Sequence, residues 1–330
     1  MNKENLNFNY EVITIIYIKE LSSLSEVFSD TTRIPNFLKK VSIAFLKLTN
    51  TVIIKENIAI LPYSSENLKK LSSRKLQKYF KKINKLMSAE NIQTIALSNA
   101  LNNLDNIQEL KNSFYSRNYN ILDGRWLFKH LSFEILEYIS EEKNIRTNEM
   151  EVSILTNTYS DFIKENIRLL AQNIKNLNIV TPNIELFKPL TQELYNSFGI
   201  SIRISNNKKK ILTHSHVIFN FDFPEVVLNK FTLPLNGILI NYNEKIKLKS
   251  KLFNGLNVSY YTINVHKELI DNFKNDYLLE TFDLEILYES LYFGETSFTK
   301  VLSHFIDDTL SVASLVGNNG EISNKEYSMS

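Results

Sequence analysis

Short apolar runs alternate with amphipathic stretches along this chain, and the alternation becomes regular after residue 150. Residues 10–19 are rich in β-branched and aromatic types and read as a strand. Phe37 to Leu48 carries helical spacing, and the runs 52–55 and 58–63 flank Glu56 and Asn57 as a hairpin. A helix over 66–86 follows, with Ser64 or Ser65 placed to cap it. Its apolar positions include Leu71, Leu76, Tyr79, Phe80 and Ile83, and lysines and Arg74 fill the spaces between them. Ile92 to Leu97 reads as a strand, Leu104 to Tyr115 as a helix, and Tyr119 to Leu122 as a short closing strand. From Gly124 to Glu142, Leu127, Leu131, Ile135 and Tyr138 form one helical stripe. A polar break through Asn148 follows, so 124–148 is read as a bridging helix and linker between two domains.

The second half is more regular. Strands at 152–156, 178–181, 200–205, 217–221 and 237–241 are separated by helices at 160–174, 184–198 and, more briefly, 208–213. Gly199 falls where a helix needs a left-handed terminator. Short apolar strands alternating with helices imply a parallel sheet wound by right-handed crossovers. A helical C-terminal tail is expected from Leu284 to Leu315. The reading is therefore α/β: an N-terminal mixed α/β domain over 1–123, and a Rossmann-like parallel-sheet domain with C-terminal helices over 149–316. The last stretch, 317–330, reads as a flexible tail.

The order of elements over 151–223 resembles the nucleotide-binding domain of the shikimate dehydrogenase and glutamyl-tRNA reductase families. The triplet Thr181, Pro182 and Asn183 stands where that domain's second strand ends. The run from Ser215 to Asn220 resembles the strand beneath the nicotinamide. The resemblance implies a dinucleotide turn at 156–161, but its three glycine positions hold Thr156, Thr158 and Asp161. Glycine there lets the backbone approach a pyrophosphate and lets the helix pack on the strand. Two β-branched side chains obstruct that approach, and a carboxylate at Asp161 competes with a phosphate for the helix N-terminus. Ser160 and Asp161 are better used in capping the helix. Positions that would face a ligand are Thr156, Asn157, Thr158, Asn183 and Asn220.

A second candidate is Asp123, Gly124, Arg125 and Trp126, where a strand ends and a helix begins. An arginine at a helix start opposes the dipole, which suits a carboxylate or phosphate partner, so Asp123, Arg125 and Trp126 are assigned to an interdomain cleft. The structural alternative has Asp123 capping the helix, Arg125 pairing with an acid and Trp126 packing. His214 and His216 share one face only if the backbone is extended, and no metal site is assigned. Gly317, Asn318, Asn319 and Gly320 read as a turn rather than a phosphate nest.

Composition narrows the classes further. The 330 residues suit two cores, and 43% hydrophobic with 22% charged residues excludes disorder of the whole chain. With no cysteine, disulfides, thiolate metal sites and a cysteine nucleophile are excluded. The formal charge of +2 is small for a protein that neutralises many phosphates, so the basic stretch reads as a solvated helix face. Nucleic acid and membrane are not expected partners, and a cytoplasmic address is expected. The leading functional reading is a binding, regulatory or assembly protein without a cofactor, its partner an unknown small molecule or protein. An NAD(P)-dependent oxidoreductase of shikimate dehydrogenase-like architecture is the alternative, and an RNA-binding module through the helix 66–86 the second.

Overall fold

The structure is a computed structural model that describes residues 15–28, 35–55, 57–117, 119–207, 209–242, 246–249, 253–265, 280–295 and 310–329. By internal contacts the chain forms two compact units, Met1–Gly124 with Asp271–Val301, and Arg125–Ile270 with Leu302–Ser330. The stretch read as a bridge therefore belongs, from Arg125 onward, to the second unit. It holds two helices, Arg125–His130 and Ser132–Lys143, interrupted at Leu131.

The first unit contains a five-stranded sheet. Its strands are β1 (Ile15–Glu20), β2 (Ile53–Lys55), β3 (Ile58–Leu61), β4 (Thr94–Leu97) and β5 (Asn120–Leu122), in the order β2-β3-β1-β4-β5. β3, β1, β4 and β5 run parallel, and β2 pairs antiparallel with β3 as the expected hairpin. β1 is buried along its whole length, which suits a nearly continuous apolar run in a covered parallel sheet. The helix Ser73–Ala89 lays Leu76, Tyr79, Phe80, Ile83 and Met87 on Ile16, Ile18, Ile95 and Leu97. It starts later than its sequence pattern suggests, because a separate turn of helix, Ser65–Leu68, precedes it. The helix expected at 104–115 likewise starts later, at Ile107–Tyr115, after a separate turn of helix at Asn99–Asn102.

The second unit contains eight strands: β6 (Glu151–Leu155), β7 (Asn176–Val180), β8 (Ile202–Ser205), β9 (Val217–Asn220), β10 (Ile238–Asn241), β11 (Leu256–Val265), β12 (Leu310–Gly317) and β13 (Gly320–Glu321). Their order is β13-β12-β11-β10-β9-β6-β7-β8. The six strands from β6 to β11 are all parallel. Counted along the chain from β6, they lie in the order 3-2-1-4-5-6, which is that of the Rossmann fold. Helices Asp161–Asn173 and Ile184–Phe198 connect the first three, and Gly199 ends the second helix at φ 70°. β10 and β11 start back to back at two glycines. A Cβ at Gly255 would lie 1.9 Å from the Gly237 carbonyl oxygen, so no side chain fits there.

Three expectations are corrected. Residues 209–214 form turns instead of a short helix. The C-terminal stretch is not wholly helical: Leu284–Glu295 is a helix, but Leu310–Gly317 is β12, antiparallel to β11. Burial along β12 follows strand spacing at Leu310, Val312 and Ser314, all three of them buried. Nor is 317–329 a loose tail. Asn318 and Asn319 form a two-residue loop between β12 and β13, and the helix Asn324–Met329 follows. Tyr327 of that helix is fully buried, its ring 6.1 Å from that of Tyr138 and edge-on to it.

A buried aromatic side chain removed from such a position costs about 3–5 kcal/mol. Tyr327→Ala should therefore lower the unfolding free energy by about 3 kcal/mol in urea titration. A loss below about 0.5 kcal/mol would mean that this segment does not pack as described.

Candidate functional site

Open parallel sheets bind ligands beyond the carboxyl ends of their strands, where the strand order reverses. In the second unit the reversal lies between β6 and β9. β6 leads through 156–160 into the helix Asp161–Asn173, and β9 leads into Phe221, Asp222 and Phe223. The turn after β6 exposes backbone N–H groups that a Rossmann fold directs at a phosphate. Here they are directed at Asp222. Its Oδ1 accepts the Asn157 N–H at 2.6 Å, and its Oδ2 accepts the Thr158 N–H at 2.9 Å. The Thr156 hydroxyl lies 3.3 Å from Oδ2, and the Asn157 side-chain amide 3.2 Å from Oδ1.

One carboxylate thus gathers the donors of the turn. Asn183 closes over it from the end of β7, donating from Nδ2 to the Asn157 carbonyl at 2.7 Å. Its own N–H is held by the Thr181 hydroxyl at 3.1 Å. Ser160 caps the helix, accepting the Ile163 N–H at 3.3 Å. Asp161, expected to oppose a phosphate, is 86% exposed at its side chain and ion-pairs with Lys164. Lys164 holds the Asp161 carboxyl below its usual range. The like charge facing a phosphate at this turn is therefore that of Asp222. At about 4 Å two such charges repel by about 1–4 kcal/mol, depending on local dielectric.

Four of the five positions singled out in this half, Thr156, Asn157, Thr158 and Asn183, therefore meet. Asn220, the fifth, is buried in a neighbouring amide ladder. Its Nδ2 donates to the Phe223 carbonyl and to Asn241 Oδ1, each at 3.0 Å, and its Oδ1 accepts the Phe223 N–H at 2.9 Å. Asn241 passes the ladder on to Asn257, which donates to the Ile246 carbonyl at 2.8 Å. Asn220 thus shapes the Phe221–Phe223 turn that presents Asp222.

The first unit reverses strand order between β1 and β4, and polar groups are again joined there. Lys19 Nζ lies 3.4 Å from Glu26 Oε1 and 3.3 Å from the Thr281 hydroxyl, and Lys19 is only 1% exposed. Glu20 Oε2 accepts the Ser98 hydroxyl at 2.5 Å. Sequence patterning passed over this cluster, whose one signal is a charged pair closing an apolar strand.

The candidates Asp123, Arg125 and Trp126 fall in different units. Asp123 pairs with Lys111 at 2.9 Å, and the following Gly124 N–H donates to Glu289 Oε2 at 2.9 Å, all within the first unit. Arg125, in the second, donates from one guanidinium nitrogen to the Tyr242 carbonyl at 3.1 Å and the Ser259 carbonyl at 3.4 Å. Trp126 stacks edge-on against His130 at 3.9 Å, and His130 meets the Phe162 ring at 4.8 Å. Burial holds the His130 imidazole down at about 3, so it is neutral near neutrality. His214 lies in a turn, and His216 Nδ1 accepts the Glu151 N–H at 2.9 Å, so the two do not share one strand face. His266 and His304 lie outside the described residues. Among the described residues no group of three or more His, Asp or Glu is arranged to hold a metal, and no helix is long and apolar enough to cross a membrane.

Neither a family model nor a curated protein matches the chain. Solved structures similar to it include an L-tryptophan dehydrogenase from Nostoc punctiforme, at 11% identity over 85% of this chain and 79% of that one, with a TM-score of 0.30. A shikimate 5-dehydrogenase from Listeria monocytogenes matches at 11% identity over 70% and 79%, with a TM-score of 0.26. An aspartate transcarbamoylase from Trypanosoma cruzi matches at 13% identity over 69% and 70%, with a TM-score of 0.26. The fold assignment rests on strand order and direction in the chain itself.

Near Arg125, the Ser132 and Tyr242 hydroxyls share a hydrogen bond of 2.7 Å. Glu134 is buried beside them, and burial, with Glu137 adding to it, pushes its carboxyl up to about 7 from 4.5. A carboxyl whose folded-state value is raised contributes its full stability below about 4.5 and loses it as pH rises to about 7. The loss is at most about 3 kcal/mol, at about 1.4 kcal/mol per unit. His130 has the opposite slope, losing stability as pH falls below 6.5 toward about 3. Comparing Glu134→Gln with wild type cancels the histidine. The difference in unfolding free energy, variant minus wild type, should rise by about 2–3 kcal/mol between pH 4.5 and 8. A difference constant across that range would refute the buried carboxyl.

Proposed function

We propose that this chain is a binding or assembly protein on a Rossmann-like scaffold, without a dinucleotide cofactor and without catalysis at its strand switch point. The observation that carries the reading is the carboxylate of Asp222 on the Asn157 and Thr158 N–H groups. A pyrophosphate would have to displace charge-assisted hydrogen bonds, each worth about 1.5–3 kcal/mol, and then sit beside the displaced carboxylate. Thr156 and Thr158 add side chains where the backbone must come close. The polar groups at the switch point of the first unit support the same reading, because Lys19 and Glu20 are engaged by Glu26, Thr281 and Ser98. An enzyme needs acid–base groups left available to a substrate, whereas a scaffold gains rigidity by joining them to one another.

Calorimetric titration of the full chain with NAD+, NADH, NADP+ and NADPH should give no saturable heat at ordinary concentrations. A loss of about 3–4 kcal/mol at this one contact moves a micromolar ligand toward the millimolar range. Saturable binding tighter than about 10 μM would overturn the proposal in favour of an oxidoreductase.

A further inference from the structure

The first unit carries a recessed basic surface that the scaffold reading does not use. Two adjoining concavities of about 560 and 360 Å³ share Asn50 and Lys78 in their walls. Lys78, Lys81, Lys82, Lys85 and Arg117 line the larger, and Lys47, Arg74, Lys75 and Lys78 the smaller. No carboxylate lines either one. Among the described residues, no ion pair engages any of these eight cations.

The groove has a built wall. Lys82 Nζ donates to the Thr49 carbonyl at 2.8 Å, tying the helix Ser73–Ala89 to the end of the helix Asn36–Thr49. Lys47 and Lys75 both lie over the Tyr63 ring, at 5.0 and 5.5 Å. The apolar face of Ser73–Ala89 is committed to the core, which fixes its lysines on the outer side. Like charges three or four residues apart destabilise a helix by a few tenths of a kcal/mol per pair. This helix repeats such pairs at 74/78, 75/78, 78/81, 78/82, 81/85 and 82/85 with no acid between them. A polyanion would relieve all of them together.

We infer that this groove binds a single strand of nucleic acid through its phosphates. From Lys75 to Lys85 the row spans about 15 Å of helix, room for several consecutive phosphates. A recess between two helices admits one strand, whereas a duplex is read by an element that protrudes into its groove. Exposed apolar side chains adjoin the recess. Leu48 lines the smaller concavity and is 81% exposed, and Phe45, one turn before it, is 63% exposed and offers a face for a base. The small net charge of the chain does not weigh against this, since the phosphate contacts depend on local clustering of cations.

The test is fluorescence anisotropy of the full chain with labelled dodecamers of uridine and of thymidine, across salt concentrations. The expected result is saturable binding to one or both strands, with log Kd against log salt having a slope of about 3, from four to five contacts at about 0.7 each. The two strands separate an RNA from a DNA preference. Lys78→Ala/Lys81→Ala/Lys85→Ala, at three exposed positions, should weaken binding at least about tenfold and reduce the slope by about 2. Lys69→Ala/Lys70→Ala, outside both concavities, should change neither, and thermal melting of both variants reports their folding. Should the triple variant melt early, Lys81→Ala/Lys85→Ala takes its place, with a slope reduced by about 1. The inference is overturned by no binding to either strand, by binding that the groove variants leave intact, or by binding only to anionic vesicles or polyglutamate.

Discussion

Every strand-to-helix turn in a parallel sheet leaves backbone N–H groups at the helix entrance that must find an acceptor. In a dinucleotide-binding Rossmann fold a phosphate supplies part of it. In this chain the acceptor is internal. Asp222, just past the end of β9, reaches the turn after β6 and accepts from Asn157 and Thr158. That contact joins the two strands on either side of the order reversal, and it fixes what the site can accept. The amide ladder through Asn220, Asn241 and Asn257 supports it from behind by holding the Phe221–Phe223 turn. Threonine is compatible with position 156 because its hydroxyl takes part, lying within reach of Asp222 and of the Thr158 carbonyl.

The first unit treats its own switch point in the same manner, by different chemistry. Lys19 and Glu26 form a buried ion pair, and Glu20 accepts from Ser98. A buried pair of this kind is weak evidence of stability, since desolvation offsets most of its attraction. Its effect is to engage charged groups at the place where an open α/β sheet most often does chemistry. In both units the edge where an open α/β sheet usually takes ligands is thus crossed by hydrogen bonds of the chain itself, and a row of exposed cations lies elsewhere, along the Ser73–Ala89 helix.

Much of this was legible in the sequence. Apolar runs from β6 to β10, spaced by helices, implied the parallel sheet, and the lost glycines at Thr156, Thr158 and Asp161 implied a turn unsuited to pyrophosphate. The identity of the opposing carboxylate was not legible. Asp161 is the acid nearest in sequence, whereas Asp222 lies 66 residues beyond Thr156, and only the adjacency of β6 and β9 brings the two together. β11 and β12 escaped because Asn257, Ser259, Thr262 and Ser314 break their apolar pattern, although cross-strand hydrogen bonds engage Asn257 with Asn241 and Thr262 with Ser314, the latter at 2.7 Å. The C-terminal docking of Tyr327 depends on a ring contact with Tyr138, distant in sequence, that no local pattern encodes. Lys19 and Glu20 were overlooked because two charges at the end of a strand usually mark its exit to water.

Amide hydrogen exchange reads directly whether Asp222 closes the turn after β6. In the wild-type chain the Asn157 and Thr158 amides should be protected from exchange, although Thr158 is exposed. In Asp222→Ala both should lose protection while the amides within β6 and β9 keep theirs. Wild-type amides at 157 and 158 that exchange as fast as free loop amides, or that gain protection only when a dinucleotide is added, would contradict the account.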